Sequence, residues 1–269
     1  MKRLTYGFLL LTVVACTREP SHQTTDPVSL RIAVAANAQY AVDSIVAAFT
    51  TRYAIPVSTM VSSSGKLTAQ IRQSAPYDLF LSADLDYPRH LFEQGLATAP
   101  PVVYAFGELI LWAGDTSLDL SRPAGVLQEA GVRRIAIAQA RTAPYGRAAE
   151  AWLAHHQLRP AIAGKLVYGE SIAQVNSYLL SGAAELAFTA LSVVQAPELR
   201  MIGQYQILDP ATYPPLAQGM VLTRYGQEHH PEVARAFYDF VLGPEGQEIL
   251  QQFGYRPGSS VPLPDHGEQ

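Results

Sequence analysis

A run of hydroxyl side chains beside a glycine and a lysine is the segment of this chain with the clearest potential for chemistry. It spans 62–66 (SSSGK), between an apolar, strand-like run and an amphipathic, helix-like run. Backbone N–H groups at a helix start point outward with partial positive charge, so this placement predicts an anion site. A nucleotide-binding P-loop needs Gly five residues before the Gly-Lys pair and Ser or Thr directly after it, where this chain has Met60 and Leu67. The P-loop interpretation is therefore excluded.

Three other segments repeat this strand–loop–helix design. Asn37, Tyr145 and Ile172 each lie where a short, apolar, strand-like run passes through a loop into a helical pattern. In open parallel sheets, ligands bind beyond the carboxyl ends of the strands, where such loops cluster. Two of the four segments lie early in the chain and two lie in its middle. If the two halves are separate lobes, an anion between them can contact all four helix starts.

Each of these residues also has an ordinary structural interpretation. Asn37 is of a type that caps helices, and the capping and ligand roles can hold together. The serines would equally suit a solvated turn, so within 62–66 only Ser64 is favoured as a ligand. Lys66 lies inside the predicted helix and is expected to point to solvent. Tyr145 has the alternative of a plain aromatic residue at a helix start.

Other titratable residues favour structural roles. Asp78 precedes a strand while Asp84 and Asp86 lie in a turn, which favours capping. The histidine pairs at 155–156 and 229–230 are sequence neighbours that share no helix face and fit no zinc spacing, which favours the surface. The sequence contains no nucleophile elbow and no His-Glu-x-x-His motif. We therefore expect a protein that is not an enzyme, with no cofactor and no direct protein–metal ligands.

Strand and helix patterns alternate along the chain. Strands are predicted at 30–36, 55–61, 78–82, 109–113, 134–138, 165–168, 185–189 and 218–223. Helices are predicted to begin near residues 42, 67, 87, 145, 172 and 231. This alternation predicts an α/β fold in which mostly parallel sheets carry helices on both faces.

The N-terminus has the pattern of a secretory signal peptide. A basic pair at 2–3 precedes an apolar run that is too short to span a membrane and stops at Cys16, the single cysteine. The run VVAC at 13–16 resembles a bacterial lipobox, with an incidental cysteine as the alternative. We expect a signal peptide at 1–15, lipidation of Cys16 and a polar, lipid-anchored tether at 16–27. The formal charge of −4 on 269 residues predicts no nucleic-acid partner.

Seven segments, in order, resemble the molybdate-binding proteins of bacterial ABC importers. They are AVAANAQYA (33–41), SSSGKLTAQI (62–71), APYDLFLSADLDY (75–87), APYGRAAEAW (143–152), GESIAQV (169–175), ELAFTALS (185–192) and FYDFVLGPEGQEILQQFGY (237–255). Together they cover nearly all of the chain after the tether. The resemblance implies a type II periplasmic-binding fold whose two lobes close on a tetrahedral oxyanion.

The resemblance also implies which residues bind the oxyanion. Carried over position by position, the contacts are Ala36, Asn37, Ser64, Tyr145 and Ile172. At Ile172 the family uses a backbone N–H. One family subgroup has a tyrosine hydroxyl where this chain has Ala190, and the hydroxyl of Tyr145 is expected to compensate for that missing donor.

The function implied is that of an extracytoplasmic, membrane-anchored lipoprotein. As a monomer, it would capture molybdate, and also tungstate, for an ABC permease in the cytoplasmic membrane. Lobe 1 is expected over 28–107 and 217–269 and lobe 2 over 108–216, with crossings near 106–108 and 216–218. The alternatives are a carrier for sulfate, phosphonate or ferric ion, a ligand sensor of the same fold, and an anchored hydrolase.

Overall fold

The computed structural model describes residues 29–258, which form two β-sheets with helices packed around them. The predicted signal peptide, the lipidation site Cys16 and the tether lie outside the described residues. In the described part of the chain, no helix combines the length and the apolar composition needed to cross a lipid bilayer.

The elements alternate along the described chain much as the sequence patterns predict. The strands are β1 (Leu30–Ala35), β2 (Val57–Ser62), β3 (Leu79–Ser82), β4 (Val102–Gly107), β5 (Leu109–Ala113), β6 (Ile135–Ala138), β7 (Leu166–Gly169), β8 (Leu186–Ala190), β9 (Gln204–Ile207), β10 (Leu216–Leu222) and β11 (Arg256–Pro257). The helices are α1 (Gln39–Tyr53), α2 (Ser64–Arg72), α3 (Asp86–Glu93), α4 (Pro123–Val126), α5 (Pro144–His155), α6 (Arg159–Ile162), α7 (Ile172–Leu180), α8 (Leu191–Val194), α9 (Arg224–His229), α10 (Pro231–Leu242) and α11 (Pro244–Gln252). A 3-10 turn, Ala36–Ala38, joins β1 to α1.

Both sheets are mixed. The first has the strand order β11-β4-β10-β3-β1-β2, and the second has the order β7-β6-β8-β5-β9. Pairing is parallel where β1 meets β2 and β3, and where β6 meets β7 and β8. The predicted α/β fold is confirmed, but the sheets are less parallel than expected. The reason is that β5 and β10, which begin directly after the chain changes sheet, run antiparallel to both of their neighbours.

The chain changes sheet twice within the described residues. Only Glu108 separates β4 from β5, and the chain returns from the second sheet through 208–215. We propose that each sheet is the core of one lobe, with lobe 1 at 28–107 and 217–269 and lobe 2 at 108–216.

Parallel register brings the predicted loops together in pairs. Strand β1 (LRIAVA) is buried except at Arg31, as its apolar, branched composition favours. Its last residue, Ala35, pairs with Ser62 at the end of β2, so the loops entering α1 and α2 start side by side. In the second sheet Ala138 pairs with Gly169, which places the loops entering α5 and α7 side by side as well.

Candidate functional site

The four predicted loops meet at one small cavity between the two sheets. Its lining residues are Ala35, Ala36, Asn37, Ser63, Ser64, Ala83, Ala143, Pro144, Tyr145 and Ile172. All five residues predicted from the sequence to bind a ligand are among them. None of the lining residues carries a charge, so the cavity offers neutral hydrogen-bonding groups only.

Backbone amides at the starts of helices form one part of this site. Ser64 and Ile172 are the first residues of α2 and α7, Tyr145 is the second residue of α5, and Asn37 lies in the turn before α1. Such N–H groups are out of reach of intrahelical carbonyls. Among the described residues we find no acceptor for these four N–H groups. Four partially positive helix starts therefore border one cavity, which suits an anion.

Ser64 adds a hydroxyl whose orientation is fixed. Its Oγ accepts a hydrogen bond from the backbone N–H of Ala83 at 3.0 Å, and the side chain is buried. Because the oxygen serves as the acceptor of that bond, the hydroxyl proton remains to be donated. This residue can thus offer both a backbone N–H and an O–H to a bound anion.

Asn37 differs from a simple side-chain ligand. Its Nδ2 group donates to Gln218 Oε1 at 2.7 Å and to Tyr255 Oη at 2.9 Å. The orientation of Gln218 is fixed in turn, because its own Nε2 donates to the Leu216 carbonyl at 2.9 Å. Both amide protons of Asn37 are therefore used within the protein, which leaves its backbone N–H for an anion. Within the described part of the chain its side chain caps neither the 3-10 turn nor α1, so the capping interpretation is wrong.

Tyr145 is buried, and its hydroxyl has no hydrogen-bond partner among the described residues. Burial raises the pKa of this phenol well above its ordinary value, and neighbouring tyrosines, Tyr255 foremost, add to the effect. The group is therefore neutral at physiological pH and keeps its proton as a donor. The Tyr145 hydroxyl lies close to the end of β4, since a Cβ added to Gly107, the last residue of that strand, would lie 2.1 Å from Tyr145 Oη.

Lys66 takes no part in lining the cavity. It forms an ion pair with Glu170, near the start of α7, and 43% of its side chain is exposed. The pair joins the first-sheet side of the cavity to the second-sheet side. This placement agrees with the expectation that Lys66 points to solvent.

Three further contacts join the two sides around the cavity. Arg147 of α5 forms an ion pair with Asp84, which follows β3. Gly65 N–H donates to the Thr142 carbonyl at 2.9 Å, and Tyr87 Oη donates to the Arg141 carbonyl at 2.8 Å. The lobes are therefore closed on each other in this structure.

The other titratable groups singled out in the sequence have structural roles. Asp84 Oδ1 accepts the backbone N–H of Tyr87 at 3.3 Å, which is the expected capping role. Asp78 is fully buried and binds His230 Nδ1 at 2.8 Å and the Arg31 N–H at 2.7 Å. The surface prediction for His230 holds only in part, because its side chain is 24% exposed and its imidazole bonds to this buried aspartate.

Sequence reasoning missed several lining residues. Ala83 and Pro144 contribute only shape or backbone, and no sequence signal marks them. Ser63 is different because its hydroxyl is buried and finds no hydrogen-bond partner within residues 29–258. The sequence signal for Ser63 is its place in the serine run within 62–66, but no local sequence pattern indicates which serine hydroxyls face the cavity.

Comparison with known proteins identifies the family. Residues 30–256 match the model of the family described as "Bacterial extracellular solute-binding protein". The chain is 33% identical over 227 residues to the molybdate-binding protein ModA of Azotobacter vinelandii, covering 84% of this chain and 89% of the relative. It is 34% identical over 224 residues to ModA of Rhodobacter capsulatus, covering 83% and 86%.

A solved structure shows the same fold. The periplasmic molybdate-binding protein of Azotobacter vinelandii superimposes with a TM-score of 0.79 at 30% identity, covering 84% of this chain and 98% of the other. This match confirms the two-lobed, type II periplasmic-binding fold. Sequence and fold together show that the chain belongs to the ModA family of bacterial extracellular solute-binding proteins.

Proposed function

We propose that this protein captures molybdate, and tungstate as well, between its two lobes and delivers it to an ABC importer. Both relatives described above are named for molybdate binding. The observation that carries the proposal is the meeting of four helix-start N–H groups and neutral hydroxyls at one uncharged cavity. The anion contacts would be made by Ala36, Asn37, Ser64, Tyr145 and Ile172.

The donor set suits a tetrahedral dianion. An anion removed from water needs several hydrogen bonds in place of its hydration shell. Each hydrogen bond to a charged group contributes about 1.5–3 kcal/mol. Five or six such bonds could supply the ~8–12 kcal/mol of micromolar to nanomolar binding after association costs. Neutral donors also form no lasting ion pair with the cargo, which suits a carrier that must release it.

The proposal extends to the parts of the chain outside the described residues. Cleavage before Cys16 and lipidation of its thiol would anchor a monomeric protein on the extracytoplasmic face of a membrane. There, the closed protein would dock on the permease. Mass spectrometry of the membrane-associated protein tests this arrangement, since a lipid-modified N-terminal Cys16 supports it and an unmodified or uncleaved chain contradicts it.

Isothermal titration calorimetry tests the ligand assignment. We expect one molybdate or tungstate bound per chain at micromolar affinity or tighter, and weaker binding of sulfate and phosphate. Sulfate and molybdate carry the same charge and shape, so the size of the closed cavity must distinguish them. Sulfate binding as tight as molybdate binding would contradict the specificity. Sulfate binding alone would favour the sulfate-carrier alternative.

A further inference from the structure

Ser63 has an unusual environment for a serine directly before a helix. At this position the hydroxyl normally accepts an N–H of the first helical turn. Ser63 makes no such cap on α2, is only 3% exposed, and its Oγ has no partner among the described residues. A buried hydroxyl without a partner is destabilising, so native structures seldom keep one without a reason.

The reason lies in what Ser63 faces. It lines the same cavity as Ser64 and the four helix-start N–H groups. The preceding residue, Ser62, pairs with Ala35 at the ends of their strands, which sets Ser63 beside the loop that carries Asn37. A neutral donor therefore borders a cavity that is already suited to an anion.

We propose that the Ser63 hydroxyl donates a further hydrogen bond to an oxygen of the bound oxyanion. This inference rests on the proposed function and adds a residue to that site. Among the described residues the hydroxyl has no acceptor, and a bound oxyanion would supply one. Ser63 would thus act on binding, while its removal takes no hydrogen bond from the part of the fold that the structure describes.

Ser64 provides the contrast. Its Oγ already accepts the Ala83 N–H at 3.0 Å, so Ser64→Ala removes a ligand donor and also leaves a buried N–H without its acceptor. Ser64→Ala should weaken binding and lower the melting temperature of the ligand-free protein together. Ser63→Ala should weaken binding alone.

The experiment measures molybdate affinity by calorimetry and ligand-free thermal unfolding for wild type, Ser62→Ala, Ser63→Ala and Ser64→Ala. Ser62 is the matched control, because it is a neighbouring serine outside the cavity lining. We expect Ser63→Ala to bind molybdate about tenfold more weakly, which corresponds to about 1.4 kcal/mol, with an unchanged or raised melting temperature. Ser62→Ala should bind like wild type.

Two outcomes would overturn the inference. One is a Ser63→Ala affinity equal to that of Ser62→Ala while wild type binds molybdate normally. The other is a melting temperature lowered as much as in Ser64→Ala, which would assign the hydroxyl a structural role. If wild-type protein binds no molybdate, the proposed function itself fails and this inference fails with it.

Discussion

The ion pair between Arg147 and Asp84 is expected to set how firmly the lobes close on the ligand. Asp84 follows β3 and Arg147 lies in α5, so the pair connects the two sides of the cavity. The aspartate side chain is 14% exposed and the arginine side chain 38%. Burial raises the pKa of Asp84, and Arg147 opposes that rise. Arg147→Ala would leave a largely buried carboxylate facing the closed interface without its cation.

The magnitude follows from the degree of burial. Removing one partner of a fully buried pair costs about 3–5 kcal/mol, whereas an exposed pair contributes about 0–1 kcal/mol. Because Arg147 is partly exposed, we expect the closed form to lose about 2 kcal/mol. If only the closed form holds the ligand tightly, molybdate binding then weakens about 30-fold.

Titration calorimetry with molybdate checks this value, and Lys66→Ala is the matched control. Lys66 also pairs across the cavity, but with exposed partners at 43% and 67%, so its loss should change affinity less than about fivefold. The pH dependence adds a second test. Closure raises the pKa of the unpaired Asp84 carboxyl, so protonation favours closure and the Arg147→Ala deficit should shrink as the pH falls. Equal effects of the two substitutions, or an Arg147→Ala deficit that grows at low pH, would show that this ion pair does not control closure.

Three further outcomes are expected. Gly146→Ala should lower both the melting temperature and molybdate affinity, because its Cβ would lie 2.2 Å from the Ala138 carbonyl oxygen. Gly164→Ala should lower neither, because a Cβ there would meet no described atom within 4 Å. Asn37→Ala should reduce the free energy of unfolding by about 1–3 kcal/mol, because the two buried side chains that accept its amide hydrogen bonds lose their donor. Burial raises the pKa of Tyr255 to about 12, so the unfolded chain loses this proton first and the free energy of unfolding should fall as the pH rises from about 10 towards 12. Chemical denaturation across that range should give a shallower fall for Tyr255→Phe, and an identical slope would contradict the assignment.

Local sequence patterns predict the bounds of a helix or strand where tertiary packing agrees with the local preference for that structure. Helix α7 (Ile172–Leu180) and strand β1 lie close to their predicted bounds because each has a clear apolar period. Strands β4 and β9 were not predicted. In β9 (QYQI) apolar and polar residues alternate too briefly to indicate a strand, and only pairing with β5 defines it.

The site was predicted in its positions but not in its hydrogen bonds. The strand–loop–helix design and the family resemblance indicated Asn37, Ser64, Tyr145 and Ile172, and the structure brings them to one cavity. The side-chain amide of Asn37 donates a hydrogen bond to Gln218, which is 181 residues away in sequence. No local sequence pattern predicts such a contact, because it forms only when the fold brings the two residues together.

We propose that a molybdate ion binds in the cavity between the helix starts. Anomalous X-ray scattering from a crystal of the protein grown with molybdate locates the molybdenum atom directly. We predict a single strong peak in the cavity, with oxyanion oxygens within hydrogen-bonding distance of Ser64 and of the backbone N–H groups of Asn37, Tyr145 and Ile172. A peak elsewhere on the molecule, or no peak in the cavity at saturating molybdate, would show that molybdate does not bind at this site.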